Sequence, residues 1–208
     1  MDLEQIQLAL RANLDEKYQA REQGLTLARK AIRLSANAIR AIHRSDRSDG
    51  TQLLDEARLS LDEALAAMTE HPDIRYAGFL HDAMKEYAEA RVTYALVFDL
   101  DIPSPSEIRV EAAAYLNGLG EAVGEVRRHL LDQMKRGDLT RSEHLLDAID
   151  EIFYLMTSMD YPDGMTGGLR RTTDVTRSII ERTRGDLSNA LVQQRLLHAL
   201  QGQSEPSG

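Results

Sequence analysis

Residues 115–128 read YLNGLGEAVGEVRR, from Tyr115 to Arg128. Gly118, Gly120 and Gly124 fall within seven positions of one another, and a glycine inside a helix costs roughly 1 kcal/mol relative to alanine. The acids argue the other way. Glu121 and Glu125 are four apart and share one face of a helix. On that helix Gly118 flanks the acidic face on one side, and Gly120 and Gly124 flank it on the other. Glycines so placed make sense where a neighbouring backbone or a ligand comes close. The stretch therefore reads as a helix pressed against another element.

The text on either side supports an all-α chain. All five prolines sit at breaks: Pro72, Pro103, Pro105, Pro162 and Pro206. Between them apolar residues recur at i, i+3 and i+4, without period-two alternation of β-branched residues. The pattern predicts a single-domain bundle of about six or seven long helices over residues 1–200, with 201–208 as a disordered tail. The expected helices cover roughly 2–45 (weakened at Gly24), 50–70, 73–100, 104–136, 139–159 and 168–200 (bent near Gly185). Ser104 or Ser106 is expected to cap the fourth, and Gly137 to close it.

Composition narrows the function. Of 208 residues, 42% are hydrophobic and 28% charged, with a net charge of −9 and no cysteine. Disulfides, thiolate metal sites and thiol nucleophiles are excluded. No apolar run approaches the roughly 18 residues of a membrane span. The acidic, amphipathic N-terminus MDLEQIQLALRANLDEK is unlike a signal peptide, so a cytoplasmic location is expected.

A second acidic pair lies in MKEYAEAR, residues 84–91, where Glu86 and Glu89 are three apart. With Asp82 they form an acidic stripe separate from the apolar stripe of Tyr76, Leu80, Ala83, Tyr87, Tyr94 and Phe98. Acids so close repel by a few tenths of a kcal/mol per pair when exposed, unless a cation lies between them. One such pair is usually only a solvated face. Two pairs, with glycines that let their helices approach, suggest four converging carboxylates: Glu86, Glu89, Glu121 and Glu125. An all-oxygen donor set suits Mg²⁺ or Mn²⁺. No histidine follows an acid by three residues, so a ferritin-like di-iron centre is not indicated. The all-α nucleotide pyrophosphatases use a second pair at i, i+3, where this chain has Gly124. The dipeptide His81-Asp82 is too short a match to metal-dependent phosphohydrolases to carry weight.

Basic residues cluster despite the acidic total. Lys30, Arg33, Arg40 and Arg44 fall close together on the first helix, and Arg170, Arg171 and Arg177 open the last. They are either solvated faces and ion pairs or contacts to the phosphates of a nucleic acid. No aromatic residues interleave with them, so base stacking is not expected.

Together, RKAIRLSANAIRAIHR (29–44), KEYAEA (85–90), YLNGLGEAVGEVRR (115–128), RGDL (136–139) and GGLRRTTD (167–174) resemble the translin/Trax family, in order, from about residue 20 to residue 200. The most specific element is Tyr115, Leu116, Gly118, Glu121, Gly124 and Glu125. The compact length resembles prokaryotic, archaeal members. The resemblance implies a seven-helix or similar bundle assembled as a closed oligomer, typically a homo-octamer. Its catalytic branch implies a Mg²⁺-dependent endoribonuclease acting on single-stranded RNA, with Glu86, Glu89, Glu121 and Glu125 as catalytic metal ligands. Glu121 stands where that branch often has aspartate, one methylene shorter. The non-catalytic branch implies a binder of single-stranded RNA or DNA. An α-helical nucleotide hydrolase is a third possibility.

Overall fold

The structure, a computed structural model, describes residues 2–75 and 78–202. Tyr76 of the apolar stripe and tail residues 203–208 lie outside them. Among the described residues there are eight helices and no strand: α1 (Leu3–His43), α2 (Arg47–Ala67), α3 (Pro72–Arg75), α4 (Gly78–Val97), α5 (Ala112–Lys135), α6 (Ser142–Thr157), α7 (Asp163–Thr166) and α8 (Leu169–Gly202). Six are long; α3 and α7 are single turns. None of the described helices is long and apolar enough to cross a membrane. The chain divides into two compact units, Met1–Gly118 and Leu119–Gly208, and the division falls inside α5.

In the first unit, α1, α2 and α4 pack on one another. Asp2 caps α1 by accepting the Glu4 N–H at 3.0 Å. The buried side of α1 is mostly small: Gly24, Ala28, Ala31, Ser35, Ala38 and Ala41. The helix runs through Gly24 unbroken. A Cβ there would lie 2.7 Å from Met68 Cε, so the glycine makes room for the end of α2. The turn between α1 and α2 is shorter than expected. Ser45 takes a positive φ of 61°, and Asp46 caps α2 by accepting the Asp49 N–H, so α2 begins at Arg47.

The fourth long helix, by contrast, starts late, at Ala112 instead of near 104. Ser104 and Glu107 form a local turn, not a helix cap. The Glu107 carboxylate accepts both the Ser104 N–H and its hydroxyl at 2.7 Å. Arg109 then adopts φ 52°, a left-handed conformation that interrupts helix. Tyr115, at the start of α5, donates its hydroxyl to the Pro103 carbonyl at 2.7 Å and holds the connector down.

In the second unit α6 packs on α8, as does the short α7. Gly137, with φ 75°, follows α5 as the sequence predicts. Arg184 pairs with Asp150 at 2.6 Å and Arg127 with Asp186 at 2.7 Å, linking α8 to α6 and to α5. The last helix is uninterrupted at Gly185 and includes residues 201 and 202 of the expected tail.

Burial holds the Tyr87 phenol above its ordinary range, against the opposing pull of Arg91 and Arg58, and burial also raises Tyr115, with a smaller push from Glu107. The folded chain keeps these protons where the unfolded chain loses them. The resulting stability is complete below the unfolded phenol pKa and is lost as pH rises through the folded values. Melting temperature should therefore fall from about pH 10 upward. Tyr87→Phe should flatten that fall; an unchanged slope in thermal melts at stepped pH would refute the assignment.

Candidate metal centre

Helix α4 is buried on most of its circumference, by Leu80, Ala83, Met84, Tyr87, Ala88, Ala90 and Val92 among others. Burial of Tyr87 and its neighbours turns the remaining face outward. Asp82 lies exposed on it, with Glu86 and Glu89 half-buried. The exposed acid of the predicted stripe is thus Asp82, outside the Glu86–Glu89 pair.

Helix α5 meets this face at Gly118. A Cβ at 118 would stand 2.8 Å from the Lys85 carbonyl oxygen, 2.8 Å from Ala88 Cβ and 3.0 Å from the Glu89 nitrogen. Two of these are backbone atoms of a helix and cannot turn aside. The two helix backbones touch at the turn that carries Glu86 and Glu89. Glu121 stands three residues further along α5, about 4.5 Å of rise.

One carboxylate oxygen each of Glu86, Glu89 and Glu121 lies within 4.8 Å of the others, and all three residues are half-buried. Oxygens on one Mg²⁺ sit about 2.1 Å from it, hence about 3–4 Å apart. Small rotamer changes would close these three on one ion. The donor set is carboxylate only, which hard cations take.

Glu125 is not in that group. It sits one turn further along α5, half-buried, with Oε2 3.9 Å from Arg128 Nη1. Sequence reading also missed a neighbour. The Lys85 ammonium lies 3.9 Å from Glu86 Oε1, and adjacent positions on a helix do not ordinarily face one another.

The three glycines of α5 differ in role. Gly118 admits α4. Gly120 serves the second unit: a Cβ there would collide with Thr172 and lie 2.8 Å from Met156 Cε. At Gly124 the nearest atom is Ile179 Cδ1 at 3.9 Å, so nothing there requires glycine.

Lys30, Arg33 and Arg40 are exposed on α1, and Arg44 is exposed at its C-terminal cap. Arg40 donates to Asn37 Oδ1 at 2.6 Å, and Arg44 to Asp49 Oδ2 at 3.2 Å. Arg170, Arg171 and Arg177 are exposed on α8. The Arg177 guanidinium lies 5.5 Å from the centre of the Phe153 ring on α6. Arg177 is thus accompanied by an aromatic from another helix, which sequence adjacency cannot show.

A scan against protein-family models finds no match. An uncharacterised protein of Methanocaldococcus jannaschii is 32% identical over 176 residues, covering 84% of this chain and 78% of its own length. The crystal structure of AfC3PO superposes with a TM-score of 0.82 at 33% identity, over 93% of this chain and 98% of that one. AfC3PO in complex with duplex RNA gives 0.81 at the same identity and coverage. The chain belongs to the translin/Trax family. Apo-NeC3PO, at 20% identity and a TM-score of 0.76 over 86% of this chain, shares the fold. The acidic group on α4 and α5 is thus carried on a translin-like all-α scaffold.

Proposed function

We propose that this translin/Trax-family chain is a Mg²⁺- or Mn²⁺-dependent endoribonuclease of the Trax type, cutting single-stranded RNA within an oligomeric shell in the cytoplasm. The observation that carries the reading is the grouping of Glu86, Glu89 and Glu121 at the contact of α4 with α5. That AfC3PO forms a complex with duplex RNA supports RNA as the ligand class.

Glu86, Glu89 and Glu121 would hold the ion, and Glu125, one turn away, would accept a proton. A bound cation would lower the pKa of its water and balance phosphate charge. Lys85 adds a positive charge beside Glu86 for a phosphate oxygen. Lys30, Arg33, Arg40, Arg44, Arg170, Arg171 and Arg177 would contact the nucleic-acid backbone without reading its sequence. Arg33→Ala and Arg170→Ala should each reduce the salt dependence of single-stranded RNA binding, by a log–log slope of about 0.7 for each phosphate no longer neutralised. An unchanged slope would remove those residues from the RNA path.

Assembly is supported by apolar side chains left in the open. Leu8, Leu10, Leu14 and Tyr18 on the first half of α1 are each at least 60% exposed, and Leu196, Leu197 and Leu200 near the end of α8 at least 58%. Faces of this kind mark protein interfaces, and a homo-octamer is the assembly proposed.

One observation favours a second reading, a non-catalytic binder of single-stranded RNA or DNA. Glu125 stands outside the acidic group, and Lys85 supplies Glu86 with a counter-ion of the chain's own. The deciding experiment incubates labelled single-stranded RNA with and without Mg²⁺ or Mn²⁺ and runs light scattering on the same sample. Metal-dependent products support the nuclease. A salt-sensitive shift without products supports the binder, and a monomer would refute the shell.

A further inference from the structure

Arg58, on α2, is a charged residue inside the first unit, only 8% exposed. Its Nη1 donates to the carbonyl oxygens of Ile108 at 2.9 Å and Arg109 at 3.1 Å. Its Nη2 pairs with Asp62 Oδ1 at 2.9 Å, and the other Asp62 oxygen takes Arg109 Nη2 at 2.8 Å. The guanidinium also lies 5.5 Å from the centre of the Tyr87 ring on α4. A single side chain on α2 thus touches α4 and holds the last two residues before the run into α5.

The segment it holds is under constraint. Arg109 has φ 52°, a conformation that L residues with long side chains seldom adopt unless their surroundings impose it. Arg58 and Asp62 grip both the backbone and the side chain of Arg109. Helix α5 begins three residues later at Ala112, and Gly118 follows within two turns. Gly118 must meet Lys85 and Glu89 to within a few tenths of an ångström, because its contact is with backbone. A slide of α5 by one residue would be 1.5 Å, and would move Glu121 away from the α4 pair.

We infer that Arg58, with Asp62, is a positioning residue for the acidic centre: it sets the register of α5 against α4 and so brings Glu121 to Glu86 and Glu89. The inference rests on the metal-centre reading above. The chain has no cysteine, so spin labels can be placed at Asp82→Cys and Glu111→Cys, both exposed and both in the first unit. Electron–electron distances are then measured in otherwise unaltered protein, in Arg58→Met, in Asp62→Asn and in Leu61→Ala. The last is a buried core change on the same helix that leaves the Arg58 and Asp62 side chains in place. Mn²⁺ affinity is titrated on the same four backgrounds without labels.

Arg58→Met should shift or broaden the distance distribution and weaken Mn²⁺ binding at least tenfold. Asp62→Asn should do both to a smaller extent, and it keeps the test open if Arg58→Met does not fold. Leu61→Ala should lower the melting temperature yet keep the distance and the affinity. A parental distance and affinity in both connector variants would overturn the inference. So would a shifted distance with unchanged Mn²⁺ affinity, or the same effects in Leu61→Ala. If the unsubstituted protein takes up no Mn²⁺, the metal reading itself falls and the inference with it, an outcome distinct from the others because the parental distance is unaffected.

Discussion

Glu89→Ala should lower Mn²⁺-dependent cleavage of single-stranded RNA by on the order of a hundredfold or more, the scale seen when one electrostatic partner of a developing charge is removed. Glu121→Ala should match it, although Glu89 and Glu121 are on different helices. Both belong to the same group of three oxygens within 4.8 Å, and two carboxylates hold a hard cation far less well than three. The effects should be non-additive, since the second substitution removes a ligand from a site already emptied. Each change also removes a like charge from a group of half-buried carboxylates, and thermal melts of both variants separate any folding cost from the loss of metal binding. Mn²⁺ should raise the stability of the parental protein by about 2.7 kcal/mol at a hundredfold excess over its Kd and leave both variants unmoved. RNA affinity in the absence of metal should be retained. Full Mn²⁺-dependent cleavage by either variant would sink the site assignment.

The glycines of α5 make the second large prediction, because they separate so cleanly in space. Gly118→Ala sets a methyl group 2.8 Å from the Lys85 carbonyl oxygen and 2.8 Å from Ala88 Cβ. Overpacking against backbone typically costs about 1–3 kcal/mol, partly offset by the roughly 1 kcal/mol that alanine gains over glycine in a helix. To relieve the contact α5 must move off α4, which carries Glu121 away from its partners. Gly118→Ala should therefore lose Mn²⁺ binding out of proportion to its loss of stability, and Gly118→Val should lose more of both. Gly124→Ala is the opposite case. Its Cβ would meet only Ile179 Cδ1 at 3.9 Å, so it should stabilise the chain by up to about 1 kcal/mol and leave the metal site intact. Denaturant melts and Mn²⁺ titration of the three variants would check this. A Gly118→Ala protein that binds Mn²⁺ like the parent would show that α4 and α5 have slack at this contact.

Much of the site is legible along the chain because helices repeat. The i, i+3 spacing of Glu86 and Glu89 and the i, i+4 spacing of Glu121 and Glu125 are properties of one helix each, set by 100° per residue. The family resemblance adds RNA, which spacing cannot supply. Periodicity also locates the long helices to within a few residues, except where a local turn competes. Ser104 and Glu107 satisfy a helix-start pattern, yet their hydrogen bonds close on each other, and the left-handed Arg109 postpones α5 to Ala112. A capping pattern and a free-standing turn use the same residues, and only the backbone beyond distinguishes them.

The sequence by itself determined an all-α chain, its acidic pairs and its basic clusters, and its motifs resemble the translin/Trax family. The first three depend on composition and on order along single helices. Tertiary structure alone decided which acids meet, since it grouped Glu86, Glu89 and Glu121 and left Glu125 a turn away. It also decided which glycine does the admitting, set Phe153 beneath Arg177, and buried Arg58 against the connector. Each of these is a contact between residues distant in sequence. Such contacts depend on how far one helix slides along another, and a displacement of 1.5 Å, one residue of rise, leaves every spacing within a helix unchanged.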